Sequence, residues 1–152
     1  MPHKIQQRNL LKTCFSAIPL MSLTACSYDF EMFVSLVDGE VAFISADREI
    51  TCVSSLQVTK AARLTHSAEG ETDPTFWSIG GSYSNCAIPY PVVYGQRIES
   101  RSAVARPLEP GEKYIAQAES AGHYASVCFE ILPSGAPNNL PMESCYPSPS
   151  QQ

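Results

Sequence analysis

The stretch Tyr124-Ala125-Ser126-Val127-Cys128-Phe129-Glu130-Ile131-Leu132 decides the fold class. Ala125, Val127, Phe129 and Ile131 form one apolar set, while Tyr124, Ser126, Cys128 and Glu130 form the other, which is the period of a strand with one buried face. The same alternation runs through Ile50, Cys52, Ser54, Leu56 and Val58 against Glu49, Thr51, Ser55, Gln57 and Thr59, with Val53 as the exception. Further short β-like runs span 30–37, 40–45, 75–80, 92–97 and 113–119, which with 50–59 and 124–132 makes seven. Asp38-Gly39 reads as a tight hairpin, 70–74 and 80–85 as loops, and Pro110-Gly111 as a turn entering a strand. The stretch from Val58 to Leu64 is the only helical pattern and is too short to stand alone. Seven strands at this spacing predict an all-β, antiparallel β-sandwich.

Composition agrees with that class. The chain has 152 residues with 44% hydrophobic and 16% charged, enough for one globular domain and poor in charge for a helical bundle. Twelve Pro, eight Gly and six Cys suit a turn-rich, crosslinked fold. Ten basic against fifteen acidic residues give a net charge of −5, which offers no basic surface for nucleic acid.

Leu108-Glu109-Pro110-Gly111-Glu112-Lys113-Tyr114-Ile115-Ala116 resembles the tyrosine corner of fibronectin type III and immunoglobulin-like sandwiches, where L-x-P-G-x-x-Y leads into a strand. The resemblance implies that Tyr114 packs inward and that its hydroxyl bonds to a backbone group upstream. It also implies that Trp77 is the core tryptophan between the sheets. The cysteine pair of antibody domains is absent from the matching strands. The expected fold is therefore a seven-strand immunoglobulin-like sandwich without the antibody disulfide, spanning 26–135.

The N-terminal region reads as an address. Lys4, Arg8 and Lys12 precede an uncharged stretch from Thr13 to Tyr28, the order of a secretory signal. That stretch is shorter than the roughly 20 apolar residues of a spanning helix. It ends in Leu23-Thr24-Ala25-Cys26, which resembles the lipobox of bacterial lipoproteins. The resemblance implies cleavage after residue 25, a signal peptide of 1–25, and acylation at Cys26, whose thiol is the alkylated nucleophile. Ser27 stands where an Asp would favour the inner membrane, so the implied location is an outer-membrane anchor facing the periplasm. Removing 1–25 discards three basic residues and no acidic one, leaving 7 basic and 15 acidic residues and a net charge of −8.

Cys14 leaves with the signal and Cys26 is committed to lipid, so Cys52, Cys86, Cys128 and Cys145 remain. An oxidising compartment predicts two disulfides. Their separations of 33, 41 and 16 intervening residues lack the close pair of a four-cysteine zinc site. Strand phase places Cys52 inward and Cys128 outward, which disfavours a bond between them. Cys52 and Cys86 fall at one end of the implied sandwich. The expected pairs are Cys52 with Cys86 and Cys128 with Cys145, the second strapping the tail across an outer face. From Pro133 onward five Pro with Ser, Asn and Gln read as an extended tail, with 136–152 outside the domain.

No catalytic constellation, metal-ligand spacing or cofactor fingerprint stands out. His66 and His123 read as loop residues, and Gly80-Gly81-Ser82-Tyr83-Ser84 lacks the second Gly of a nucleophile elbow. Pro147-Ser148-Pro149 reads as a solvated terminus. The loop Ala87-Ile88-Pro89-Tyr90-Pro91-Val92-Val93-Tyr94-Gly95 offers Tyr90 and Tyr94 as candidate partner contacts. In the other reading of this loop, residues 92–94 simply enter a strand whose edge the prolines protect. The function expected is a membrane-anchored binding or structural module with an envelope protein partner, no cofactor and no enzyme activity. The alternatives are an inhibitor or accessory subunit of an envelope enzyme or secretion machine, and a hydrolase with an unrecognised site.

Overall fold

A computed structural model describes residues 29–61, 74–80, 86–98 and 102–146. The signal and lipobox, His66, the 81–85 part of the glycine-containing loop and Pro147-Ser148-Pro149 lie outside the described residues. Within them the chain is all-β. Its strands are β1 (Met32–Val37), β2 (Glu40–Ser45), β3 (Cys52–Val53), β4 (Ser55–Lys60), β5 (Thr75–Gly80), β6 (Ile88–Pro89), β7 (Val92–Val93), β8 (Lys113–Ser120), β9 (His123–Ile131) and β10 (Pro137–Leu140). They form a five-stranded sheet ordered β10-β9-β8-β4-β5, a three-stranded sheet β1-β2-β7 and the pair β3-β6. Every strand pair is antiparallel.

The two larger sheets face each other across one core. Phe43 of β2 stacks on Trp77 of β5 at 6.3 Å and meets the edge of Phe129 of β9 at 5.9 Å. Val34, Leu56, Val58, Ile79, Tyr114 and Val92 complete the buried layer. The alternation in β9 holds, with Ala125, Val127, Phe129 and Ile131 in this core. Asp38 and Gly39 both take positive φ, 52° and 84°, as a two-residue hairpin with the twist of its flanking strands requires.

Among the described residues ten strands in three sheets replace the seven expected, because one run divides in two and β6 and β10 are added, while the run 92–97 is shortened. The run 50–59 breaks at Ser54, where the chain passes from the small pair into the five-stranded sheet. There the Ser54 N–H donates to the Glu119 carbonyl at 2.7 Å, while Cys52 and Val53 pair with Pro89 and Ile88. The crossing shifts the phase, so Val53 and Leu56 are both buried and Cys52 is half-exposed rather than inward. Val53, the exception to the alternation, marked this shift. The run 92–97 ends after Val93, because a turn closes from Gln96 N to Val93 O at 3.0 Å and the chain reverses at Gly95. The expected free tail begins as a strand: β10 pairs with Cys128–Ile131 of β9.

Both disulfides form as expected, Cys52 with Cys86 and Cys128 with Cys145. Cys128 lies on the face of β9 opposite the main core. There Cys145, Ala61 and Ile115, with Leu140 and Met142 beside them, build a second small cluster under a 3-10 turn at Met142–Ser144. The tail thus straps the outer face of the sheet.

The corner at Pro110-Gly111 has the geometry its sequence implied. Tyr114 is fully buried against Phe76 and Phe129, with ring centroids 5.1 and 5.6 Å away. Its hydroxyl accepts the Glu109 N–H at 2.9 Å. Lys60 Nζ braces the turn from β4, 3.1 Å from Glu112 and 3.7 Å from Glu109. Tyr114→Phe removes the acceptor and leaves the Glu109 N–H without this partner, so it is expected to lower stability by about 1 kcal/mol. An unchanged denaturation midpoint would show that the bond contributes nothing.

Two sheet edges are met in part by non-strand groups. Ala103 N–H donates to Ser78 O at 2.9 Å and Arg106 N–H to Phe76 O at 3.0 Å along the outer side of β5. On β1, the Asn139 side chain acts as a neighbouring strand would. It accepts the Val34 N–H and donates to the Val34 carbonyl, both at 2.8 Å. One amide of β10 therefore joins the three-stranded sheet to the five-stranded one.

Candidate functional site

The described chain starts against the first residues of β9. Asp29 forms a parallel bridge with Tyr124, and the Phe30 N–H donates to the Tyr124 carbonyl at 3.0 Å. The Phe30 side chain enters the main core and fixes this crossing, after which the chain joins the other sheet as β1. Because the bridge is parallel, β1 and β9 run from this pole in the same sense. The hairpin at Asp38-Gly39 and the turn after Leu132 lie at the far ends of these strands.

Two shallow depressions flank Asp29 and Phe30. One, about 260 Å³, is completed by Tyr124, Ala125 and Ser126 and carries hydroxyls but no further charge. The other, about 240 Å³, is completed by Glu31, Ala46 and Asp47 and is acidic. The loop beside the acidic depression is pinned locally, because the Asp47 carboxylate accepts the Glu49 N–H at 2.9 Å and Ser45 Oγ donates to the Asp47 carbonyl at 2.9 Å. Among the described residues no group of three or more His, Cys, Asp or Glu side chains could hold a metal ion. The pole is suited to non-covalent contact: an exposed aromatic ring and hydroxyls on one side, carboxylates on the other.

The candidate contacts Tyr90 and Tyr94 lie at the border between core and surface. Both are half-buried and pack against the main core. Tyr90 Oη approaches Met32 Sδ at 3.7 Å. Tyr94 lies 5.2 Å from Trp77 and donates from its hydroxyl to the Arg106 carbonyl at 2.8 Å. Burial pushes both phenols well above their ordinary range; for Tyr94 the neighbouring Tyr114 adds to the shift and Arg106 opposes it. Ile88 of β6 and Val92 of β7, on either side of Tyr90, are buried in the same core.

Trp77 and Tyr114 are brought together in the core layer, with Phe76, Phe43 and Tyr94 between or beside them. Cys52 and Cys86 sit at the pole where β4 begins and β5 ends. Cys26 lies outside the described residues. His123 opens β9, half-buried. The juxtaposition of Asp29 with Tyr124 was not read from the sequence, since it joins residues far apart in the chain. Only the outward phase of Tyr124 was legible. The chain matches no family model, no curated protein and no solved structure.

Proposed function

We propose that the protein is a bacterial outer-membrane lipoprotein, held by acyl chains on Cys26, whose periplasmic sandwich serves as a binding or structural module for an envelope protein partner. The observation that carries this reading is Leu23-Thr24-Ala25-Cys26 following a basic, then uncharged, N-terminal stretch. Two closed disulfides support it, since such bonds persist in an oxidising compartment. The immunoglobulin-like character of the domain belongs to the same proposal and rests on the Tyr114 corner and the core Trp77. Several acyl chains, each buried CH₂ contributing about 0.8 kcal/mol, hold a chain far more firmly than one.

Cys26→Ala is expected to abolish acyl labelling and move the protein from the membrane to the soluble fraction. Intact mass and fractionation of the expressed full chain check both. Continued acylation of the variant would overturn the assignment.

A further inference from the structure

We propose that Tyr124 is a lipid contact, seating the domain on the surface of the membrane that holds its anchor. The inference rests on the Cys26 reading and adds an orientation to it. Three residue steps separate Cys26 from Asp29, which at about 3.3–3.6 Å per residue limits the distance between them to roughly 10 Å. Asp29 is bridged to Tyr124, and Phe30 is hydrogen-bonded to it. An anchor at Cys26 therefore fixes the start of β9 near the lipid surface.

Tyr124 is suited to that position. It is 49% exposed, on the face of β9 opposite the core, and a tyrosine places an apolar ring and a hydroxyl together at headgroup depth. Its cross-strand partner Glu119 is only 8% exposed, so that carboxylate is withdrawn from the surface. The depression beside the ring is closed by Ser126 and Ala125. Across Asp29 and Phe30 lie Glu31 and Asp47, which anionic headgroups repel. The two sides differ in charge, so the domain leans onto the Tyr124 side. Since β1 and β9 both run away from this pole, the far ends of the sandwich point into the aqueous space.

The test uses the acylated full chain in vesicles of phosphatidylethanolamine and anionic phosphatidylglycerol, with or without bromine on the acyl chains. Tyr124→Trp adds an indole to a chain whose native Trp77 is fully buried and serves as an internal reference. A second variant, Ser126→Trp, probes the same exposed face. Leu132→Trp, at the other end of β9, is the control. The added emission of Tyr124→Trp and Ser126→Trp is expected to fall roughly twofold with brominated lipid, as for rings at the headgroup boundary. That of Leu132→Trp is expected to stay constant. Acylated protein with unquenched indoles at 124 and 126, or with equal quenching at 132, overturns the Tyr124 contact alone. A chain that carries no acyl groups and does not float with vesicles overturns the lipoprotein reading, and the contact with it.

Discussion

Gly80→Ala is expected to destabilise the domain by about 2 to 5 kcal/mol, from a positive-φ contribution of roughly 1–2 and an overpacking contribution of roughly 1–3. Gly80 ends β5 at φ 87°, opposite Ser55 of β4. A methyl group there would fall on the Ser54 carbonyl oxygen and within 2.9 Å of the Ser55 Cα. Both obstacles are backbone, at the point where the chain crosses from the small strand pair into the five-stranded sheet, so neither can rotate aside. A domain of this size has only about 5–15 kcal/mol in total. Gly111→Ala separates the two contributions, because Gly111 has φ 80° and nothing within 4 Å of the added atom. It is expected to lose only about 1–2 kcal/mol. Urea denaturation of the two variants checks the contrast. Equal losses would show that the close approach at Ser54 is not a constraint.

Replacing Cys128 and Cys145 together by Ala is expected to lower stability by about 3 kcal/mol from chain entropy, for a loop closed over a sequence separation of 17. The packing of Leu140 and Met142 against Ile115 weakens as well, because the bond holds the 3-10 turn over that face. β10 is the next element affected. It has four residues, Pro-Asn-Asn-Leu, of low strand propensity, and its register depends on the crosslinked turn C-terminal to it. Limited proteolysis should therefore cut between Leu132 and Cys145 in the double variant and not in the parent chain. An unaltered digestion pattern would show that β10 docks without the crosslink.

The regular strands were legible because one period ran through them undisturbed. β9 and the β1-β2 hairpin follow from alternation and from Asp38-Gly39. The Tyr114 corner was legible because its spacing is fixed by a local turn. The crossing at Ser54 was not, although Val53 broke the pattern there. A single out-of-phase residue does not say whether a strand bulges or changes sheets, and the hydrogen bond to Glu119 decides it. Cys52 shows the consequence: its pairing was read correctly, while its inward phase was not. Composition misread the tail because β10 is held by Cys145, by Asn139 and by the Asn138 amide on Glu130, not by its own propensity. The packing of Tyr90 and Tyr94 on the core was not legible, because prolines beside tyrosines occur both in exposed loops and in segments that close a core. The candidate site was the least legible part. Its residues come from Asp29 to Asp47 and from Tyr124 to Ser126, and no local pattern announces a bridge over that distance.

The amide of Asn139 on Val34 also bears on contacts between copies of the chain. Under the proposed anchor at Cys26, such copies would be confined to two dimensions and would meet side by side more often. A strand edge with free N–H and C=O groups is the template on which such encounters turn into aggregates. At Val34 that template is already occupied from within the chain, by a group that no neighbour has to supply. A single side chain thus removes one pair of backbone groups, in the middle of β1, from what that edge can offer to another strand.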